Sequence, residues 1–179
     1  MRHAAAFAAV ICILSSAAFA QSVGEKTGVN SALRIAPTTE DFVKQAAIGD
    51  MTEIAAAKIA LEKGNAEEKK FAEQMVTDHT KTSEELKALV ASGDVKAELP
   101  ASLDSSAQKK IEKLNDTKPE DFAAQYDPMQ VSDHKNDVSL FERYATGGDN
   151  PKLKEWAGKT LLRLQHHLEM AQTLNNNRK

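Results

Sequence analysis

Four side chains with metal-ligating chemistry fall on helical stripes that are otherwise apolar: Glu53, His79, His134 and His167. Two of them close a repeated tetrapeptide, Val76-Thr77-Asp78-His79 and Val131-Ser132-Asp133-His134. An imidazole turned toward a core must satisfy its ring nitrogens with a hydrogen bond, a metal or a buried water. One carboxylate and three imidazoles form a ligand set that suits zinc, copper or iron, and the interior of a helical bundle is where such sites are built. The same four residues also compose a structural layer, with Glu53 accepting and the histidines donating, that fixes helix register without an ion. A third reading is a redox enzyme with a mononuclear metal. It gains no support from motifs, since a nucleophile elbow, a phosphate-binding glycine loop and a dinucleotide fingerprint are all missing.

The elements that must position these residues are read from caps and periodicity. Thr38 or Thr39 caps a first long helix that carries Glu40 and Asp41 in its first turn, where carboxylates suit the positive end of the helix dipole. It runs to about Lys63 with Phe42, Ala46, Gly49, Glu53, Ala57 and Ala60 on one face. Gly64 ends it, and Asn65-Ala66-Glu67-Glu68 is a capping box that starts the second helix at once. On that helix Ala72, Met75, Val76, His79, Ser83, Leu86 and Val90 form the stripe, and Ser92-Gly93 stops it. A weakly patterned connection from Ser92 to Asp116 contains Pro100 and a short helix from about Asp104. Thr117-Lys118-Pro119-Glu120 reads as another capping box, opening a third helix with Phe122, Tyr126, Gln130, His134, Val138, Phe141 and Ala145 inward. Asn150-Pro151 opens the fourth, lined by Leu153, Ala157, Thr160, Leu164, His167, Ala171 and Leu174.

Two tight hairpins joined by one long connection predict an all-α, ferritin-like four-helix bundle, because an up-down bundle needs only short loops. In that arrangement the second and third helices run parallel and the two turns lie at opposite ends. At about 1.5 Å per residue, Glu53 and His79 stand roughly 16 and 21 Å from the first turn, and His134 and His167 roughly 20 and 25 Å from the other. All four then come within about 6 Å of one level. Glu142 is roughly 12 Å nearer its turn and is a weaker member. Asp78 and Asp133 point away from their adjacent histidines, so each either orients a histidine across the bundle or is solvated. His166 falls on the polar flank, and Met51, Met75, Met129 and Met170 read as core filler.

Residues 1–20 read as a secretory signal peptide, with Arg2 ahead of an apolar run and Ala18-Phe19-Ala20 before the expected cleavage at Gln21. The single cysteine, Cys12, leaves with it. Residues 21–36 are small and polar and read as a flexible leader, and 37–175 as the bundle. Arg2 is the one Asp, Glu, Lys or Arg in the signal, so its removal takes the net charge from −3 to −4. Charges interspersed without a basic stripe, and few aromatics, argue against a nucleic-acid partner. The mature chain has no apolar run long enough to span a bilayer.

Phe42 to Leu174 resembles the DUF4142 family, exported bacterial proteins often given an outer-membrane label and placed among ferritin-like folds. The match is carried by Phe42-Val43 with Ala46-Ala47 and Gly49 leading to Glu53, and by Phe71-Ala72 through Met75-Val76 to Asp78-His79-Thr80-Lys81. Glu85-Leu86-Lys87, Leu99-Pro100, Asp133-His134, Leu140-Phe141-Glu142 and His167-Leu168 with Ala171 complete it. The resemblance implies a ferritin-like fold and an envelope location, periplasmic or peripheral to the outer membrane, and no settled activity. Ferritin-like di-iron enzymes use Glu-x-x-His, whereas Val76, Val131 and Leu164 stand three residues before the histidines here, which argues against that chemistry. The expectation is therefore a periplasmic accessory protein of envelope or stress physiology that holds one transition metal (zinc, copper or iron) at Glu53, His79, His134 and His167. The alternative is a metal-free interaction module with an envelope protein as partner.

Overall fold

Capping side chains place the helix starts where local chemistry demands them. Thr38 accepts from the Asp41 N–H at the start of α3 (Thr39–Lys63), and Asn150 accepts from the Leu153 N–H at the start of α7 (Pro151–Asn177). Asp104 accepts from Ser106 and Ala107 to open α5 (Ser105–Asp116). At α4 (Ala66–Ala91) the capping box is complete: Asn65 Oδ1 accepts from the N–H groups of Glu67 and Glu68, and the Asn65 N–H donates to Glu68 Oε2 at 2.6 Å. Gly64 is required by space, since a Cβ there would lie 2.6 Å from the Ala60 carbonyl oxygen. Asn65→Ala is expected to lower stability by about 1 kcal/mol, or roughly 2–4 °C in Tm by circular dichroism.

The computed structural model describes residues 23–178, and every regular element among them is helical. The expected signal peptide and Cys12 lie outside these residues. Two single turns, α1 (Val23–Lys26) and α2 (Val29–Ala32), precede α3, and a 3-10 turn (Pro119–Asp121) precedes α6 (Phe122–Gly147). That turn corrects the second expected capping box. The Thr117 hydroxyl donates instead to the Lys113 carbonyl and closes α5, and no side chain caps α6.

Contacts between helix ends fix the topology. Lys63 at the end of α3 donates to the Thr117 carbonyl at 3.0 Å, just ahead of α6, while Thr39 at its start meets the Tyr144 hydroxyl near the end of α6. Asn150 at the start of α7 donates to the Asp94 carbonyl beyond α4 at 2.8 Å. Helix α3 is therefore antiparallel to α4 and α6, α4 is antiparallel to α7, and α4 and α6 run parallel. The crossover between them carries α5, which packs on α3 and α6.

The core divides into two apolar clusters. One holds Phe42, Leu86, Phe141, Tyr144, Leu153 and Trp156 around a stacked Phe42–Tyr144 pair, and the other holds Ala57, Phe71, Met75, Tyr126, Met129 and Leu174. On each long helix the chain passes from one cluster to the other through polar buried positions: Asp50 and Glu53, His79 and Thr82, Gln130 to His134, and His167. A polar layer thus crosses the molecule at mid-height.

Residues 23–35, read from sequence as leader, lie against α6. Glu25 receives both terminal nitrogens of Arg143 at 2.8 and 3.1 Å, and Arg143 also donates to the Ile35 carbonyl. No helix of the described residues is long and apolar enough to cross a membrane.

Candidate metal centre

His79 on α4, His134 on α6 and His167 on α7 meet in the polar layer with ring centroids 5.3, 5.5 and 5.7 Å apart, nearly an equilateral triangle. All three are almost fully buried, at 2, 0 and 1 % exposure. Each uses one ring nitrogen on an outward partner. His79 Nδ1 lies 2.8 Å from Asp50 Oδ1, His134 Nδ1 is 2.9 Å from the Gln130 carbonyl oxygen, and His167 Nε2 is 2.8 Å from Asp78 Oδ2. The remaining nitrogens, His79 Nε2, His134 Nε2 and His167 Nδ1, are buried and have no partner.

The outward bonds decide where the protons sit. A backbone carbonyl can only accept, so His134 carries its proton on Nδ1 and turns the Nε2 lone pair inward. Burial alone would raise Asp78, but hydrogen bonds from Gln74 and His167 outweigh it and hold the carboxyl below its ordinary range. It is a carboxylate, so His167 donates through Nε2. Burial raises the Asp50 carboxyl well above its ordinary range, and with its Oδ1 accepting from His79 Nδ1, three lone pairs face one another in a dry interior. Such an arrangement is unfavourable unless a cation or a donor lies between them.

Burial pushes His79 down to about 4 against the pull of Glu53, and pushes His167 down to about 4 against the hydrogen bond to Asp78. It lowers His134 as well. The imidazoles are therefore neutral at neutral pH, which is the ligating form. An outward carboxylate or carbonyl on each ligating histidine is the arrangement that orients imidazoles around an ion. One ring nitrogen from each of the three histidines lies within 4.8 Å of the others. An ion at about 2.0–2.1 Å from each needs them roughly 3.3–3.6 Å apart, so a ring movement of about 1 Å or less completes the fit.

Glu53 belongs to the layer but not to the triangle of mutually close ligand atoms. It is 1 % exposed with Oε2 unpartnered, and burial raises it to about 7 despite the neighbouring His79. Glu142 is exposed, as is His166, whose Nδ1 is 3.9 Å from Glu169. Met75 and Met129 fill the second apolar cluster, and Met170 packs against it.

Two contributors were not singled out from sequence. Asp50 stands three residues before Glu53 on the same face of α3, a spacing that could have flagged it. Asp137 stands three after His134 on α6, and burial raises its carboxyl to about 8, with His134 opposing. Asp78 takes the cross-bundle role allowed for it, whereas Asp133 pairs with Lys110 of α5 at 2.5 Å.

Among curated proteins and among solved structures, nothing matches this chain. A family model does: it covers residues 24–174, most of the chain, and takes in the four long helices up to Leu174 and every residue of the polar layer. The chain belongs to the family described as Domain of unknown function (DUF4142).

Proposed function

We propose that this chain is a ferritin-like bundle protein that binds one transition metal ion through His79 Nε2, His134 Nε2 and His167 Nδ1. The observation that carries the reading is the set of three buried, partnerless nitrogens whose rings are each held by an outward acceptor. Zinc, copper and iron all suit three imidazoles. Glu53 Oε2, also buried and unpartnered, supplies the fourth donor of the proposed set. Ions of this type act as Lewis acids or, for copper and iron, as redox centres. The long crossover and the parallel α4 and α6 support the ferritin-like assignment. The N-terminal apolar run supports export to the periplasm, where envelope or stress physiology would use such a protein.

Protein purified from periplasmic extract without an affinity tag is expected to hold close to one equivalent of a transition metal by elemental analysis. Metal-free protein should gain roughly 4 kcal/mol of stability at a free ion concentration about a thousandfold above Kd. His79→Ala combined with His134→Ala should abolish both effects. Less than about a tenth of an equivalent, with no thermal shift on adding zinc, copper or iron, would sink the proposal and leave the layer as a structural device.

A further inference from the structure

A cleft of about 350 Å³ opens between α3, α5 and α6, and its lining includes Gly49, Glu53, Lys110, Asp133, Asp137 and Arg143. Acidic side chains outnumber basic ones along it by five to three. Two of those acids and two of those bases neutralise one another, Asp133 with Lys110 and Glu25 with Arg143. Glu53 and Asp137 are carboxyls of this cleft that also act on the histidines behind it, Glu53 on His79 and Asp137 on His134. Glu53 presents a buried oxygen with no partner.

We infer that this cleft is the route by which the metal ion reaches the histidine triangle, with Asp137 and then Glu53 as carboxyl stations along it that give up their protons to an arriving cation. The inference rests on the metal-binding reading above. A hydrated divalent ion gives up water reluctantly, and oxygen donors spaced along the path replace that water stepwise. The other approaches are worse. Apolar clusters close the triangle on both sides along the bundle axis. On the α4–α7 face, Asp78 is committed to His167, and the Arg163 guanidinium, bonded to Thr82 at 3.2 Å, repels a cation. Gly49 fits the same reading, because a Cβ there would lie 3.3 Å from Asp137 Oδ1 and crowd the path.

The test is cobalt(II) uptake by metal-free full-length protein, followed by visible absorption in a stopped-flow instrument, and release to a chelator. Asp137→Asn, which cannot ionise for a passing ion, is expected to slow uptake and release together by about tenfold. Gly49→Ala should slow both rates without any change of charge. If the wild type binds cobalt and either variant loads and unloads at its rate, the route is wrong. It is also wrong if Asp137→Asn speeds release while uptake stays unchanged, since Asp137 would then support the bound ion rather than pass it. A wild type that binds no cobalt at equilibrium overturns the metal centre, and the route with it.

Discussion

His134→Leu is expected to stabilise the metal-free protein by about 1–2 kcal/mol, raising Tm by roughly 2–8 °C, while weakening metal binding by at least about a hundredfold. The two halves of that result have one cause. His134 is fully buried, and its Nε2 has no partner. A polar atom left in this state costs roughly 1–3 kcal/mol, which an apolar side chain of similar volume removes. The outward bond of His134 goes to a carbonyl of its own helix, Gln130, that helical bonding satisfies without it. His79 and His167 are different, because their removal strands Asp50 or Asp78. Residues kept for binding at the expense of stability behave in this way, whereas a histidine kept for structure does the reverse. Chemical denaturation and calorimetric titration of the same preparation read both quantities. A destabilised leucine variant of a protein that binds no ion would return the layer to a purely structural role.

Metal-free protein should lose stability as pH rises from about 6.5 to 8, by about 1–2 kcal/mol, and bound metal should reduce that loss. The sign comes from opposing shifts. His79 and His167 titrate near 4 in the folded chain and near 6.5 when unfolded, so they favour folding increasingly as pH rises to 6.5. Glu53 and Asp137, raised to about 7 and about 8, keep protons in the folded state that the unfolded chain has already released. They favour folding at low pH and cease to do so as pH climbs through those values. Asp50, raised well above its ordinary value by burial, acts in the same direction. Between about 4 and 6.5 the two sets oppose each other. Above 6.5 the unfolded histidines lose their remaining charge within about one pH unit, and the carboxyls dominate the slope. A divalent ion at the triangle lies beside Glu53, favours its ionised form and reduces the loss. Thermal melts across pH 6–8.5, with and without metal, read this directly; a metal-free Tm that is flat or rising there contradicts it.

Much of the helical frame was legible because its signals are local. Asn65, Asp104 and Asn150 cap where their side chains reach free N–H groups, and the 3.6-residue period placed all three central histidines inward. Heights along the axes also brought Glu53, His79, His134 and His167 to one layer. Height does not fix azimuth, however, so nothing in the spacing said that the imidazoles would form the triangle and Glu53 stand beside it. Nothing local marks Asp50 or Asp137 beyond the spacing of Asp50 from Glu53, since burial of an acid depends on neighbours from other helices. Glu25 was missed for the same reason: its partner, Arg143, is more than a hundred residues away in sequence. Thr117 shows that a cap motif between two closely spaced helices can serve the earlier one.

The polar layer also has a consequence for how this chain can change. Phe42 with its aromatic neighbours and Ala57 with its methionine-rich neighbours share no packing partner, because the layer stands between them. Substitutions in the two storeys should therefore combine nearly additively. Either end of the molecule is free to be rebuilt without consulting the other, and the seam between them is where the chain has least freedom.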